Sequence, residues 1–99
     1  MAKLVINNTD KSGFMHYVWN DYFVNGNCTH KDQYERLSSI IAVDIIKVGG
    51  NECVEIMNQQ DFQIFLTFEE SNQFYKVDTI NGATPTSITD LRDKILALI

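Results

Sequence analysis

Ninety-nine residues suffice for one domain with a single core, burying about 60 to 70% of the unfolded surface. Hydrophobic residues at 44% and charged residues at 21% exclude long disorder. Eight basic residues against 13 acidic ones give a net charge of −5, and the basic residues are scattered singly, which excludes ordinary attraction to nucleic acid or anionic lipid.

From the N-terminus, "KLVIN" at 3–7 reads as a strand, closed by the turn-forming run Asn7-Asn8-Thr9-Asp10 and released at Gly13. In "GFMHYVWNDYFVNGN" the apolar residues fall at helical spacing, but aromatic and β-branched content favours extended structure over 14–24, with a turn at Asn25-Gly26. "THKDQYERLSS" has a Thr29 cap and a Lys31 to Glu35 pair, so it reads as one or two helical turns or a loop. "IIAVDIIKV" is β-branched throughout and reads as a largely buried strand, reversed by Gly49-Gly50-Asn51.

"ECVEIM" alternates, with Cys53, Glu55 and Met57 on one face and Glu52, Val54 and Ile56 on the other. "FQIFLTF" places Phe62, Ile64, Leu66 and Phe68 on one face, and "QFYKVDTI" supplies a further strand. The helix signal comes last. After Pro85, Ser87 is the expected cap and Asp90 stands in the third position, four residues before Lys94. Ile88, Leu91, Ile95 and Leu98 form a stripe suited to covering a sheet, while Leu96 and Ile99 fall beside it and are candidates for a partner contact.

These elements predict an α+β fold: a small antiparallel β-sheet meander, or a partly open barrel or sandwich, with a C-terminal amphipathic helix. Residues 1–99 form one domain, divided into an N-terminal strand, aromatic-rich segment and loop (1–39), a β-meander (40–80), and a turn with the helix (81–99).

No catalytic, cofactor-binding or metal constellation is expected. Cys28, His30, Cys53 and His16 lack the close paired spacing of a zinc site, and Cys53 in a strand reads as a small apolar filler rather than a nucleophile. The carboxylates Asp61, Glu69, Glu70 and Asp78 fall at predicted turns. Gly49-Gly50 is too short to cradle phosphate. The aromatic run has no interleaved basic residues for base stacking, so it reads as core or protein interface, with Tyr17, Trp19, Tyr22 and Phe23 as partner-contact candidates. No apolar run reaches the roughly 18 to 20 residues of a membrane span. The opening "MAKLVINNTDKSG" lacks a signal-peptide plan, and two cysteines are too few for a disulfide framework, so synthesis in a reducing cytosol is expected.

The order of β-branched strand, Gly-containing turn, "DFQIFLTF", "YKVDTING", a Thr/Pro/Ser turn and "ITDLRDKILALI", covering residues 40–99, resembles small virion proteins of tailed bacteriophages infecting Bacteroidota, crAss-like phages among them. That resemblance implies a non-enzymatic structural protein, made in the bacterial cytoplasm and located in the virion, where it binds the major capsid protein or other virion proteins. A capsid auxiliary or decoration role in many copies is the leading expectation. Self-association through an edge strand or the helix is a further expectation. The second reading is a small acidic inhibitor or adaptor that occupies a basic site on a host protein.

Overall fold

The computed structural model describes residues 2–22 and 28–99, with side chains described over 3–19 and 32–99. The turn expected at Asn25-Gly26 and the candidate Phe23 lie outside the described residues, as do the side chains of Tyr22, Cys28 and His30.

The chain runs β1 (Ala2–Asn7), β2 (Phe14–Tyr22), β3 (Cys28–Arg36), a 3-10 turn (Leu37–Ser39), β4 (Ile40–Val48), β5 (Asn51–Asn58), β6 (Gln63–Thr67), β7 (Tyr75–Ile80) and α1 (Ile88–Leu96). The strands form one seven-stranded sheet in the order β3-β2-β1-β7-β6-β5-β4, so the fold is α+β with a mixed sheet that is not closed. Two antiparallel meanders, β1-β2-β3 and β4-β5-β6, are joined through β7, which runs parallel to both β1 and β6. The purely antiparallel meander is therefore corrected in part. The β6–β7 overlap is only Leu66↔Tyr75 and Thr67↔Lys76, so β7 takes up the direction of β6 one strand further along.

Local chemistry explains most of these elements. Gly13 (φ 80) ends the β1–β2 connection, and Gly49 and Gly50 (φ 59 and 83) supply the two left-handed residues that a tight hairpin with native twist requires. Alternation then fixes the faces: Met15, Tyr17 and Trp19 of β2 point into the core with Leu4 and Ile6, and across from them stand Val54, Ile56, Ile64 and Leu66. Both meanders thus share one core.

Two elements differ from expectation. The segment read as helical turns is strand β3, paired along its whole length with β2. Its neighbour supplies a hydrogen-bonding ladder that local capping signals cannot match, and its charged, polar sequence suits a strand at a sheet edge. The run Ile40–Val48, read as largely buried, is the opposite edge: every residue of β4 is half-buried or exposed, while Cys53 to Ile56 on β5 beside it are buried. The apolar run records β-propensity, not centrality.

α1 begins at Ser87, whose hydroxyl accepts the Asp90 amide at 3.0 Å, and Lys94 Nζ donates to Asp90 Oδ1 at 3.0 Å. The helix packs on β4 and β5, and Leu91, Ile95 and Leu98 enter the common core. Its C-terminal end is tied to the β1–β2 connection, where Asn8 Nδ2 donates to the Leu98 carbonyl at 3.4 Å.

Candidate protein interaction surface

The sheet edges β3 and β4 lie at opposite ends of the strand order yet are joined by three residues, Leu37–Ser39. The sheet must therefore bend until its ends approach, and a buried polar network holds that seam. Glu35 on β3 accepts from the Tyr17 hydroxyl of β2 at 3.1 Å and from Asn58 Nδ2 of β5 at 2.6 Å. All three side chains are buried. Burial first, then the Glu35 charge and its hydrogen bond, hold the Tyr17 phenol well above its usual range, so it stays a neutral donor. A backbone bond from the Gln59 amide to the Ser39 carbonyl, 2.9 Å, extends the β4–β5 ladder one step into the 3-10 turn that leads from β3.

The opposite face of β2 carries a second cluster. His16 Nδ1 lies 2.7 Å from Asp10 Oδ2 and Nε2 lies 3.1 Å from Asp32 Oδ1, so the imidazole bridges the two carboxylates. The Tyr34 ring stacks on the imidazole at 4.1 Å and 7°. Next along the strand, Lys11 and Arg36 stand over the Phe14 ring, at 4.3 and 5.3 Å. These contacts fasten the β3 edge to the β1–β2 connection.

The candidate contact residues are thereby sorted. Tyr17 and Trp19 are 1% and 6% exposed, with Trp19 edge-on to Tyr75 at 4.6 Å; they are core and present nothing to a partner in this fold. The signal available in the sequence was their shared parity with Met15 on a strand. Leu96 and Ile99 remain at the surface, 47% and 54% exposed. Sequence reasoning did not single out Ile41, which is 56% exposed, and it placed Phe62 on the strand face of Ile64 and Leu66, whereas Phe62 precedes β6 and is 48% exposed. Ile41 sits at an irregularity in the β4–β5 register, between Ile40↔Asn58 and Ala42↔Met57, which removes it from the alternation. Phe62 lies in the β5–β6 turn, where its carbonyl accepts the Asn58 amide at 3.1 Å.

An open cleft of about 530 Å³ lies at the β4–β5 hairpin, with Lys47, Glu52, Glu69, Gln73, Phe74 and Ile88 among its lining residues. Cys53 is buried, and burial first, then the Glu55 charge, push its thiol up, which disfavours the thiolate. Among the described residues no group of three metal-ligating side chains converges. No described helix is long and apolar enough to cross a membrane. No family model, curated protein or solved structure matches the chain.

Proposed function

We propose that this chain is a non-enzymatic virion protein, a capsid auxiliary or decoration protein that docks on the assembled particle in many copies through protein contacts. The observation that carries the docking role is the exposed Leu96, the last residue of a helix already seated on the sheet, together with the exposed Ile99 just beyond it, whose amide donates to the Leu96 carbonyl at 3.2 Å; the two flank the buried Ile95 and Leu98. Apolar side chains held on a fixed element bury area against a partner with little loss of conformational freedom. The virion setting rests on the resemblance of residues 40–99 described above. A protein that binds only the assembled state stabilises it by mass action, and multiplicity makes modest contacts collectively strong.

Co-sedimentation tests this reading. The chain should pellet saturably with assembled particles but not with unassembled capsid subunits. The double variant Leu96→Asp/Ile99→Asp, altered only at exposed positions, should fold normally and bind particles at least about tenfold more weakly, the loss expected when an apolar contact is charged. Wild-type protein left in the supernatant would overturn the docking role. Undiminished binding by the double variant would remove the helix end from the contact.

A further inference from the structure

The edge strand β4 combines three features that no other described element shares. It is nine residues long and ends the sheet, so one line of its backbone donors and acceptors has no neighbouring strand among the described residues. Its sequence, IIAVDIIKV, is the most strand-prone in the chain, yet none of its residues is fully buried. The opposite edge, β3, carries Lys31, Asp32, Glu35 and Arg36, the charged kind of edge that resists further pairing. β4 carries only Asp44 and Lys47.

The third feature is electrostatic. Asp44 stands directly across from Glu55, so two carboxylates share one face beside the free edge. Like charges directly opposed across a ladder are destabilising. Gln63 Nε2 donates to Glu55 at 3.0 Å, but no described Lys, Arg or His forms an ion pair with either acid. Lys47, three residues on, cannot help: it pairs with Glu52 and projects from the other face with Val43 and Ile45, which pack toward the core.

We infer that β4 is a docking edge for an extended segment of another protein, one that adds a strand alongside Ile40–Val48 and carries a lysine or arginine opposite Asp44. Backbone hydrogen bonds supply the affinity of such an added strand, and alternate side chains supply its specificity. The basic residue lies beside the Asp44–Glu55 pair, and the alternating apolar residues of the same segment extend the layer of Val43 and Ile45. A second copy of this chain does not meet these requirements. Antiparallel pairing of two β4 strands about a two-fold axis keeps every residue on its own face, so Asp44 faces only Ala42, Asp44, Ile46 or Val48 of the copy and never Lys47. Each copy also brings a net charge of −5. This inference deepens the proposed function and rests on it only in making the partner a virion protein.

The test uses the intact chain and a synthetic nine-residue peptide alternating valine and lysine, read by residue-resolved amide hydrogen exchange. Binding should slow exchange at least tenfold at the β4 amides not bonded to β5, with β3 unchanged. The same peptide N-methylated at alternate residues keeps its charge but loses one row of donors, and should give no protection. Asp44→Lys, at an exposed position, should weaken binding about threefold or more, since a charge partner is replaced by a repulsion. Exchange unchanged at β4, protection at β3 instead, or equal binding by the N-methylated peptide would each overturn the inference. So would concentration-dependent pairing of two chains through β4. Particle-bound protein with β4 exchange unaltered would sink the edge while leaving the virion role standing. Peptide binding by a protein missing from particles would do the reverse.

Discussion

Glu35 is the residue that ties β3, at one end of the open sheet, to β5 near the other. A buried carboxylate is costly unless its oxygens are matched, and here one oxygen takes the Tyr17 hydroxyl and the other the Asn58 amide, linking β2, β3 and β5. Removing one donor leaves the carboxylate short of a partner in a buried setting. Tyr17→Phe should therefore cost about 1.5 to 3 kcal/mol near neutral pH, measured by urea denaturation. The same substitution should change the alkaline limb. The folded state raises the Tyr17 pKa above the unfolded value, so its proton stabilises the fold fully below about pH 10 and progressively less as pH rises past it. Wild type should lose stability steeply above that point, and Tyr17→Phe should lose less. Parallel curves would show that this phenol is not held neutral by the network. Glu35 was legible in the sequence only as one member of a helical pair, because its true partners are 18 and 23 residues away and no local spacing announces them.

At the scale of elements, the hairpin glycines, the alternating strands and the capped helix were legible because each depends on neighbours within a few residues. Ser87, Asp90 and Lys94 are the clearest case: the cap bond, the 3.0 Å pair and the helix start stand where local rules put them, while the helix ends at Leu96, short of the terminal isoleucine. Ser87→Ala should lower stability by about 1 kcal/mol, the usual worth of an N-cap, readable as a lower thermal midpoint. An unchanged midpoint would mean that α1 is held by its apolar seat alone. Asp90 adds an acid dependence to the same helix start. The Thr86 amide first, and then Lys94, hold its carboxyl below the usual range. Its contribution is therefore present above the ordinary aspartate pKa of about 3.9 and fades as pH falls below it. β3 and β4 were misjudged for a shared reason. Pairing with a distant strand made the polar segment extended, and place in the strand order, which hydrophobic pattern does not encode, left the apolar one at the edge.

For the whole molecule, the parallel pairings of β7 with β1 and β6 decide the architecture, since they splice two local meanders into one bent sheet around a common core. Nothing in local sequence marks them: Leu4↔Val77 and Leu66↔Tyr75 join residues that any antiparallel neighbour would have matched equally well. The candidate surface divides the same way. Leu96 and Ile99 could be read from the helical stripe, whereas the exposure of Ile41, the unpaired edge of β4 and the opposed Asp44 and Glu55 exist only once the strand order is known. The resulting molecule commits Tyr17 and Trp19 to its own core and keeps Ile41, Phe62, Leu96 and Ile99 at the surface, with β3 and β4 as its two sheet edges.

Quantitative mass spectrometry of particles purified from the phage proposed to encode the chain, with copy number scaled to the major capsid protein, tests the central proposal most directly. The account predicts a high, fixed ratio that persists through repeated washing and gradient purification. Particles that contain none of the protein while it is abundant in the infected cytosol would contradict it, and would favour the acidic inhibitor or adaptor instead.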